Sequence, residues 1–223
     1  MKLNVKRTIF TGFAFLAISA FWQIYDGIIP KMLTNTFGLG ETITGAIMAI
    51  DNILALFLLP FFGALSDRMK TRIGKRMPFI LCGSAVSIVF LLLIPVADLM
   101  QNLPLFMVTL AVVLIAMASY RSPAVALMPD VTVKPLRSKA NAVINLMGTA
   151  GGILVLVLGI VFATSSVKNQ MMNYFVYYGV VAAIMLTALV IFLSTVRETK
   201  WSEQMRQDSV TYGIEEDNET VEE

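Results

Sequence analysis

The sequence predicts an all-α integral membrane protein with six transmembrane helices. Hydrophobic residues make up 57% of the chain and charged residues only 14%, whereas about 25% of an ordinary soluble domain is charged. The apolar residues are also gathered into six long runs, each near or above the roughly 20 residues that cross a bilayer as a helix. Because hydrocarbon offers the backbone no hydrogen-bond partners, runs of this length are expected to be helical.

Few charges interrupt these runs. Asp26 lies in the first run, Asp51 in the second and Arg121 in the fourth. The fifth run contains several glycines, including Gly148 and Gly151, which predicts that its helix packs closely against a neighbour. In chain order the runs cover residues 8–29, 42–65, 77–97, 103–128, 140–166 and 169–196.

Positive charge is divided unequally between the two sides of the predicted bundle. With six spans both termini share one side, and that side carries fourteen of the seventeen cations, whereas the opposite side carries only Lys31 and Lys168. Loops rich in Lys and Arg stay in the cytoplasm. The distribution predicts an integral protein of the plasma (inner) membrane with both termini cytoplasmic. Basic loops at a membrane match anionic lipid head groups, so nucleic acid is not a predicted partner.

Composition changes at the end of the sixth run. Residues 1–7 are predicted to be a cytoplasmic N-terminus and residues 8–196 the six-helix transmembrane domain. Residues 197–223 hold nine of the fifteen acidic residues and show no apolar periodicity. They are predicted to be a largely disordered cytoplasmic tail or the start of a central linker. For Trp201, near the expected head-group level, one prediction is an interfacial anchor; the alternative, which the composition favours, is that the segment is a linker without a site.

The connection between the second and third runs combines a glycine, an acidic residue and five cations. In order it contains Gly63, Ser66-Asp67-Arg68, Arg72-x-Gly74-Lys75-Arg76 and Pro78-Phe79-Ile80. This order resembles the loop between the second and third helices of major facilitator transporters. Within that superfamily it is most similar to the sucrose-transporter-like branch, and more loosely to the melibiose-type (glycoside-pentoside-hexuronide) cation symporters.

A second region is similar to the same branch. It comprises Ala126-Leu-Met-Pro-Asp130, the stretch 136–142 and the glycines from Gly148 to Gly152. The resemblance implies one six-helix half of a twelve-helix major facilitator fold. The chain departs from the melibiose-type relatives at Leu59-Pro60, where those proteins carry an Asp that helps to bind the coupling cation. The resemblance therefore does not imply sodium coupling of that kind.

The resemblance also implies a cytoplasmic latch that favours the outward-open state. Gly63 would let the second helix approach a neighbour closely. Asp67, Arg68 and Arg72 would form charge-assisted hydrogen bonds, with Asp130 as the partner of Arg72. Alternatively, these charges only end helices and set topology, since exposed ion pairs contribute about 0–1 kcal/mol. The predicted gating motif comprises Gly63, Asp67, Arg68, Arg72, Gly74, Lys75, Arg76 and Asp130.

Charges within the spans indicate a path through the bundle. Each costs roughly 2.5–3.5 kcal/mol at the bilayer centre, so it should face a cavity or a partner. At about 1.5 Å per residue, Asp51 and Arg121 both fall near the midplane, which predicts an ion pair. If protonation of Asp51 opens the pair, it couples proton movement to conformational change; otherwise the pair is static. Asn52 either lines the same face or hydrogen-bonds a neighbouring helix.

The first run carries a candidate sugar-binding group in its outer third. Trp22 lies four residues before Asp26, so both occupy one helix face, and Gln23 lies beside them. An aromatic platform next to a carboxylate suits sugar hydroxyls. The alternative is that these aromatic residues are interfacial anchors.

Together these features predict the N-terminal half of a transporter that carries a sugar, a di- or oligosaccharide, by symport with protons. Because a transport cavity lies between two halves, the chain is expected to need a second six-helix half or a second copy of itself. A non-transporting scaffold and a truncated gene product are the alternatives. The chain has no His and a single Cys82, and no nucleophile–base pair is recognisable, so neither an enzyme nor a cofactor or metal is predicted.

The charge asymmetry can be tested with topology reporters. A reporter fused at Glu223 is expected to lie in the cytoplasm and one inserted beside Lys168 on the opposite side, because the basic loops resist translocation. An insertion beside Lys70 serves as the control and should agree with the Glu223 fusion. Paired phosphatase and fluorescent-protein fusions make the measurement. A shared side for Glu223 and Lys168 would contradict the six-span arrangement.

Overall fold

The computed structural model describes residues 3–162 and 174–214, and every regular element in those ranges is helical. Six helices are long and apolar enough to cross a membrane, which confirms the predicted fold class. The end of the fifth predicted run, the start of the sixth and Lys168 lie outside the described residues. The elements are α1 (Val5–Asn35), α2 (Glu41–Arg68), α3 (Met77–Leu99), α4 (Leu103–Asp130), a 3-10 turn (Lys134–Leu136), α5 (Arg137–Val161), α6 (Phe175–Thr195) and α7 (Glu198–Thr211).

Several helices extend beyond the apolar runs that predict them. The backbone of α1 is helical from Val5, because the Asn4 side chain accepts a hydrogen bond from the Arg7 N–H at 3.2 Å and caps the first turn. Asn102 caps α4 in the same way, at 3.0 Å from the Leu105 nitrogen. A side chain at this position supplies an acceptor that the first turn otherwise lacks. The predicted bounds stop where the apolar residues stop, whereas the helical backbone continues through the polar residues of the terminal turns.

Helices α1 and α4 hold the bundle together. α1 packs against α5 and α6, α4 packs against α3 and α2, and α3 also contacts α6. Two buried tyrosine hydroxyls join these helices. Tyr120 of α4 donates to the Ala14 carbonyl of α1 at 2.7 Å, and Tyr177 of α6 donates to the Val155 carbonyl of α5 at 2.9 Å. A buried hydroxyl is costly unless it finds a partner, so these bonds specify how the helices pair.

The outer faces of α2 and α5 are uncovered. No residue of the most apolar stretch of α2 is buried, and in α5 only 28% of that stretch is. In a bilayer such apolar faces meet lipid or a further group of helices. The exposed side chains include Ile53, Leu56, Phe57, Phe61, Leu146, Val157 and Ile160.

Glycines of α5 bring it against α1, as predicted. A Cβ on Gly148 would lie 2.9 Å from the Ser19 hydroxyl oxygen, and a Cβ on Gly151 would collide with the backbone carbonyl of Leu16. By contrast, a Cβ on Gly152 would meet only the amide oxygen of Gln23, at an ordinary distance of 3.7 Å. The two helices therefore touch at Gly148 and Gly151 and leave space beside Gly152.

The predicted disorder of the acidic tail is wrong for Glu198–Thr211, which forms α7 and packs back onto the bundle. Glu198 and Trp201 are buried. The guanidinium carbon of Arg7 lies 5.3 Å from the centre of the Trp201 ring, so Trp201 packs against protein and not as the predicted interfacial anchor. Tertiary contacts of these side chains order a segment whose composition alone favours disorder. Residues 215–223 lie outside the described part.

A matched pair of glycine substitutions tests the contact between α1 and α5. Gly151→Ala is expected to destabilise the bundle by about 1–3 kcal/mol, the usual cost of overpacking a tight contact, because the Leu16 carbonyl is part of the backbone and cannot move aside alone. Gly152→Ala should leave thermal unfolding in detergent nearly unchanged, since its Cβ has room. Equal unfolding temperatures for the two variants would argue against this contact.

Candidate functional site

The end of the bundle that carries the α2–α3 loop and α7, here called the charged end, is organised around Arg76. This side chain is only 4% exposed. Its Nε atom lies 3.0 Å from Asp130 at the end of α4, and its Nη2 atom pairs with Asp67 near the end of α2. Nη1 donates to the Ser66 hydroxyl at 2.5 Å. Lys75 adds a contact of 3.4 Å to Asp130. Arg76 therefore ties the ends of α2 and α4 to the start of α3.

The predicted pairing of Asp130 with Arg72 is wrong, because Arg76 occupies that position. Arg76 directly precedes the first turn of α3, which points it between α2 and α4. Arg72 and Arg68 are exposed, and neither forms an ion pair with any residue in the described ranges. Gly63 faces Ser122 of α4, where a Cβ would lie 3.0 Å from the hydroxyl oxygen.

Sequence reasoning missed Glu198, which completes the charged end. Its carboxylate accepts hydrogen bonds from the backbone N–H groups of Lys75 at 2.8 Å, Arg76 at 3.0 Å and Met77 at 2.9 Å. These groups form the start of α3, which has no side-chain cap of its own. The sequence offered one signal for such a residue: the start of α3 has no capping side chain, so its N–H groups need an acceptor from elsewhere in the chain. Glu198 also fills the space beside Gly74, whose φ of 124° favours glycine.

Burial raises the pKa of Glu198 above its ordinary value, although the three backbone hydrogen bonds oppose the shift, and the nearby Asp130 carboxylate raises it further. A carboxyl with a raised pKa in the folded state binds its proton more tightly there than in the unfolded chain. Its contribution to stability is thus fully present below the ordinary glutamate pKa and is lost as the pH rises through the raised value.

A small cavity near the middle of the bundle brings Asp51 and Arg121 together with Trp22. Its volume is about 20 Å³, room for about one water molecule. The Arg121 guanidinium carbon lies 5.7 Å from the centre of the Trp22 ring, a cation–π distance. Asp51 accepts hydrogen bonds from the backbone N–H of Asn52 at 2.6 Å and from its side-chain amide at 2.8 Å.

The predicted ion pair between Asp51 and Arg121 is wrong for this conformation. Both side chains line the same cavity, but they do not approach within ion-pair distance in the described structure. The Asp51 carboxylate accepts its hydrogen bonds from the neighbouring Asn52. The Arg121 guanidinium packs over the Trp22 ring instead of pairing with Asp51. The geometry thus separates the two charges and leaves both of them lining one small cavity.

A larger cleft of about 470 Å³ opens between α1 and α5. This volume is within the roughly 300–1,000 Å³ of small-molecule sites. The predicted residues Trp22, Gln23 and Asp26 all line it. Asn145 and Thr149 of α5 also line the cleft. Sequence reasoning missed them, because the sequence does not show which side of the fifth helix faces the first. The remaining lining residues are Phe15, Ser19, Gly148, Gly152, Ile153 and Leu156.

Trp22 is the common wall of the cleft and the small cavity, since it lines both. The ring is held edge-on by Phe21 and Tyr25, each at a centroid distance of 5.3 Å. Its indole N–H is buried without a hydrogen-bond partner among the described residues, so packing alone positions the ring. A ligand in the cleft would touch the Trp22 ring, which also contacts Arg121. Within the described ranges no cluster of three or more His, Cys, Asp or Glu side chains could hold a metal.

Six helices long enough to span a membrane, a network of charged side chains at one end and a polar cleft along the bundle are typical of an integral membrane protein of the transporter type. The Major Facilitator Superfamily matches residues 11–214. The chain belongs to this family, which confirms the resemblance stated above.

Two relatives carry names that bear on substrate. The chain is 31% identical over 83 residues to "Putative glycoside/cation symporter YagG" of Escherichia coli, a match covering 37% of this chain and 18% of that protein. It is 27% identical over 161 residues to "General alpha-glucoside permease" of Schizosaccharomyces pombe, covering 65% of this chain and 28% of that protein. The chain thus spans less than a third of the length of either relative. No solved structure matches it.

Removing the carboxylate of Glu198 tests its role at the charged end. Glu198→Ala leaves three backbone N–H groups at the start of α3 without their acceptor, at a cost of about 1–3 kcal/mol for a buried unsatisfied group. The expected result is a lower unfolding temperature and faster proteolysis within α7. Glu203→Ala, an exposed change in the same helix, is the control and should behave as the wild type. Unaltered stability and protease resistance in Glu198→Ala would refute the capping role.

Proposed function

We propose that this chain is the N-terminal half of a sugar transporter, which carries a di- or oligosaccharide across the plasma (inner) membrane by symport with protons. The observation that carries the proposal is the arrangement around Trp22. A polar cleft of substrate size lies on one side of the ring, and a cavity containing Asp51 and Arg121 lies on the other.

The chemistry of the cleft favours a sugar. Trp22 offers an aromatic face and Asp26, which is exposed, offers a carboxylate that accepts hydrogen bonds from neighbouring hydroxyls. Gln23 adds an amide that both donates and accepts. The printed names of the two relatives, a glycoside/cation symporter and an alpha-glucoside permease, support the same substrate class.

Asp51 is the proposed proton carrier. It lines one small cavity with Arg121 without being paired to it, so gain or loss of its charge changes the field at Arg121 directly. A sugar on Trp22 would alter the cation–π contact of Arg121 from the other side. Proton and sugar would then act on one cation, which is the linkage that symport requires.

The charged end is the proposed gate. Arg76, Asp67, Asp130 and Glu198 join the ends of α2, α3, α4 and α7, and these contacts must break if this end of the bundle opens. The proposal places this end, and both termini, in the cytoplasm because of the cation asymmetry. The latch would stabilise the conformation in which the cytoplasmic side is closed.

A second group of helices is proposed to complete the transporter. The cleft is bounded by α1 and α5. α5 also carries an exposed apolar face, and α2 carries another. A second six-helix half, or a second copy of this chain, placed against these faces would enclose a sugar from the other side.

Transport by the assembled protein tests the proposal. Cells or proteoliposomes containing this chain and its second half are expected to accumulate labelled α-glucosides when the outside is acidified. Asp51→Asn should abolish proton-driven accumulation, because no titratable group remains there, but should retain sugar counterflow. Glu41→Gln, an exposed carboxylate at the start of α2, is the matched control and should transport normally.

Two outcomes would contradict the proposal at different levels. Full proton-driven uptake by Asp51→Asn would remove Asp51 from coupling. No uptake or counterflow of any sugar by a correctly inserted assembly would instead favour the alternative of a non-transporting membrane scaffold.

A further inference from the structure

A stripe of polar residues on α5 has no role in the helix packing. Asn141, Asn145 and Thr149 follow one another at four-residue spacing, which places them on one helix face, and all three are exposed. Polar side chains at membrane depth are costly unless they face a cavity or a partner. Asn145 and Thr149 line the cleft, whereas Asn141 does not.

α1 presents a matching stripe across the cleft. Ser19, Gln23 and Asp26 follow at spacings of four and three residues and all line the cleft. The two stripes can face each other at short range because α5 touches α1 at Gly148 and Gly151, while Gly152 leaves the Gln23 amide uncovered. The cleft therefore has polar groups on both walls.

The hydrogen-bonding capacity of these groups matches hydroxyls. Thr149 donates its hydroxyl hydrogen to the Asn145 carbonyl at 3.0 Å, which leaves its oxygen lone pairs directed to accept. The side-chain amides of Asn145 and Gln23 each offer donors and an acceptor. They form no side-chain hydrogen bond with any residue of the described ranges. A ring of sugar hydroxyls, each both donor and acceptor, fits this mixture.

The charge of the cleft is equally informative. Asp26 is the only charged side chain among the described residues that line it. Arg121 lies in the small cavity behind Trp22 and not in the cleft. A carboxylate on a ligand in the cleft would therefore meet Asp26 with no cation from these walls to neutralise it, and the repulsion between the two like charges grows as the assembled site closes and excludes water.

We infer that Asn145 and Thr149 are specificity-determining residues that bind the hydroxyls of a neutral glycoside, and that Asp26 excludes glycosides carrying a carboxylate. This inference rests on the proposed function, because it names the substrate class of the same cleft. It adds residues of α5 to the proposed sugar site, and it predicts that the site prefers neutral glycosides to negatively charged ones.

Tryptophan fluorescence can measure this selectivity directly. The chain has two tryptophans, so Trp201→Phe leaves Trp22, in the wall of the cleft, as the only tryptophan that this chain contributes, and the second half is used with any tryptophans of its own replaced by phenylalanine. The protein, assembled with its second half in lipid nanodiscs, is titrated with methyl-α-glucoside and with its charged counterpart, methyl-α-glucuronide. We expect saturable binding of the glucoside and at least tenfold weaker binding of the glucuronide.

Variants of the α5 stripe separate a binding role from a structural one. Asn145→Leu and Thr149→Val should each weaken glucoside binding by about threefold to tenfold, the usual effect of one lost hydrogen bond. Thr149→Ser keeps the hydroxyl and should bind the glucoside more tightly than Thr149→Val does. Asn141→Leu, on the same stripe but outside the cleft, is the matched control and should bind normally. Asp26→Asn should narrow the difference between glucoside and glucuronide.

The outcomes distinguish this inference from the function on which it rests. If the parent protein binds neither glycoside, the proposed sugar function fails and the inference fails with it. If it binds the glucoside but Asn145→Leu and Thr149→Val bind equally well, or if the glucuronide binds as tightly, sugar recognition stands and the inference is overturned.

Discussion

The hydrocarbon of the bilayer cannot hydrogen-bond, and the placement of nearly every polar group in this protein follows from that constraint. It requires the backbone to form six long helices, and it requires each ionisable side chain within the bundle to face a cavity or a partner. Asp51 and Arg121 line a small cavity, and Asp26 lines the open cleft. Most of the other charges among the described residues lie at the charged end, and a few, such as Lys31, Glu41 and Asp98, lie near the opposite ends of their helices.

The charged end shows how a buried cation is stabilised. Arg76 is almost fully buried and has two carboxylate partners on two different helices. Glu198 binds the backbone at the same position, so the start of α3 is held by its side chain and by its main chain at once. Burying one charge without its partner costs about 3–5 kcal/mol. Such a network is stable when complete and is disrupted by the loss of any one contact, a property suited to a gate between two conformations.

The position of Trp22 links recognition to charge. Its ring is in the wall of the cleft and at the same time contacts Arg121. Packing against Phe21 and Tyr25 holds the ring in place. A ligand that contacts the ring would therefore change the surroundings of the Arg121 guanidinium without movement of the backbone. The cleft and the small cavity are therefore neighbours, and the Trp22 side chain lies between them.

The sequence by itself determined the features that depend on local order along the chain. Hydrophobic length specified the six helices, and the spacing of Trp22 and Asp26 placed both on one helix face, which the structure directs into the cleft. Glycines in the fifth run indicated close packing, and Gly148 and Gly151 provide it. These properties follow from the helical period and from the thickness of a bilayer, so no knowledge of the other helices is needed.

Only the tertiary structure decided which side chains meet. Arg76 and Asp130 are 54 residues apart, and Glu198 binds a backbone nitrogen 122 residues away. Arg72 and Arg76 are equivalent cations in the sequence, yet only the one at the start of α3 points between α2 and α4. Likewise, charge alone predicted that Arg121 would pair with Asp51, but Arg121 contacts Trp22. Asn145 and Thr149 line the cleft because the side of α5 that carries them faces α1. Partners so distant along the chain depend on how helices approach one another, which is set by packing of the whole bundle and not by any one segment.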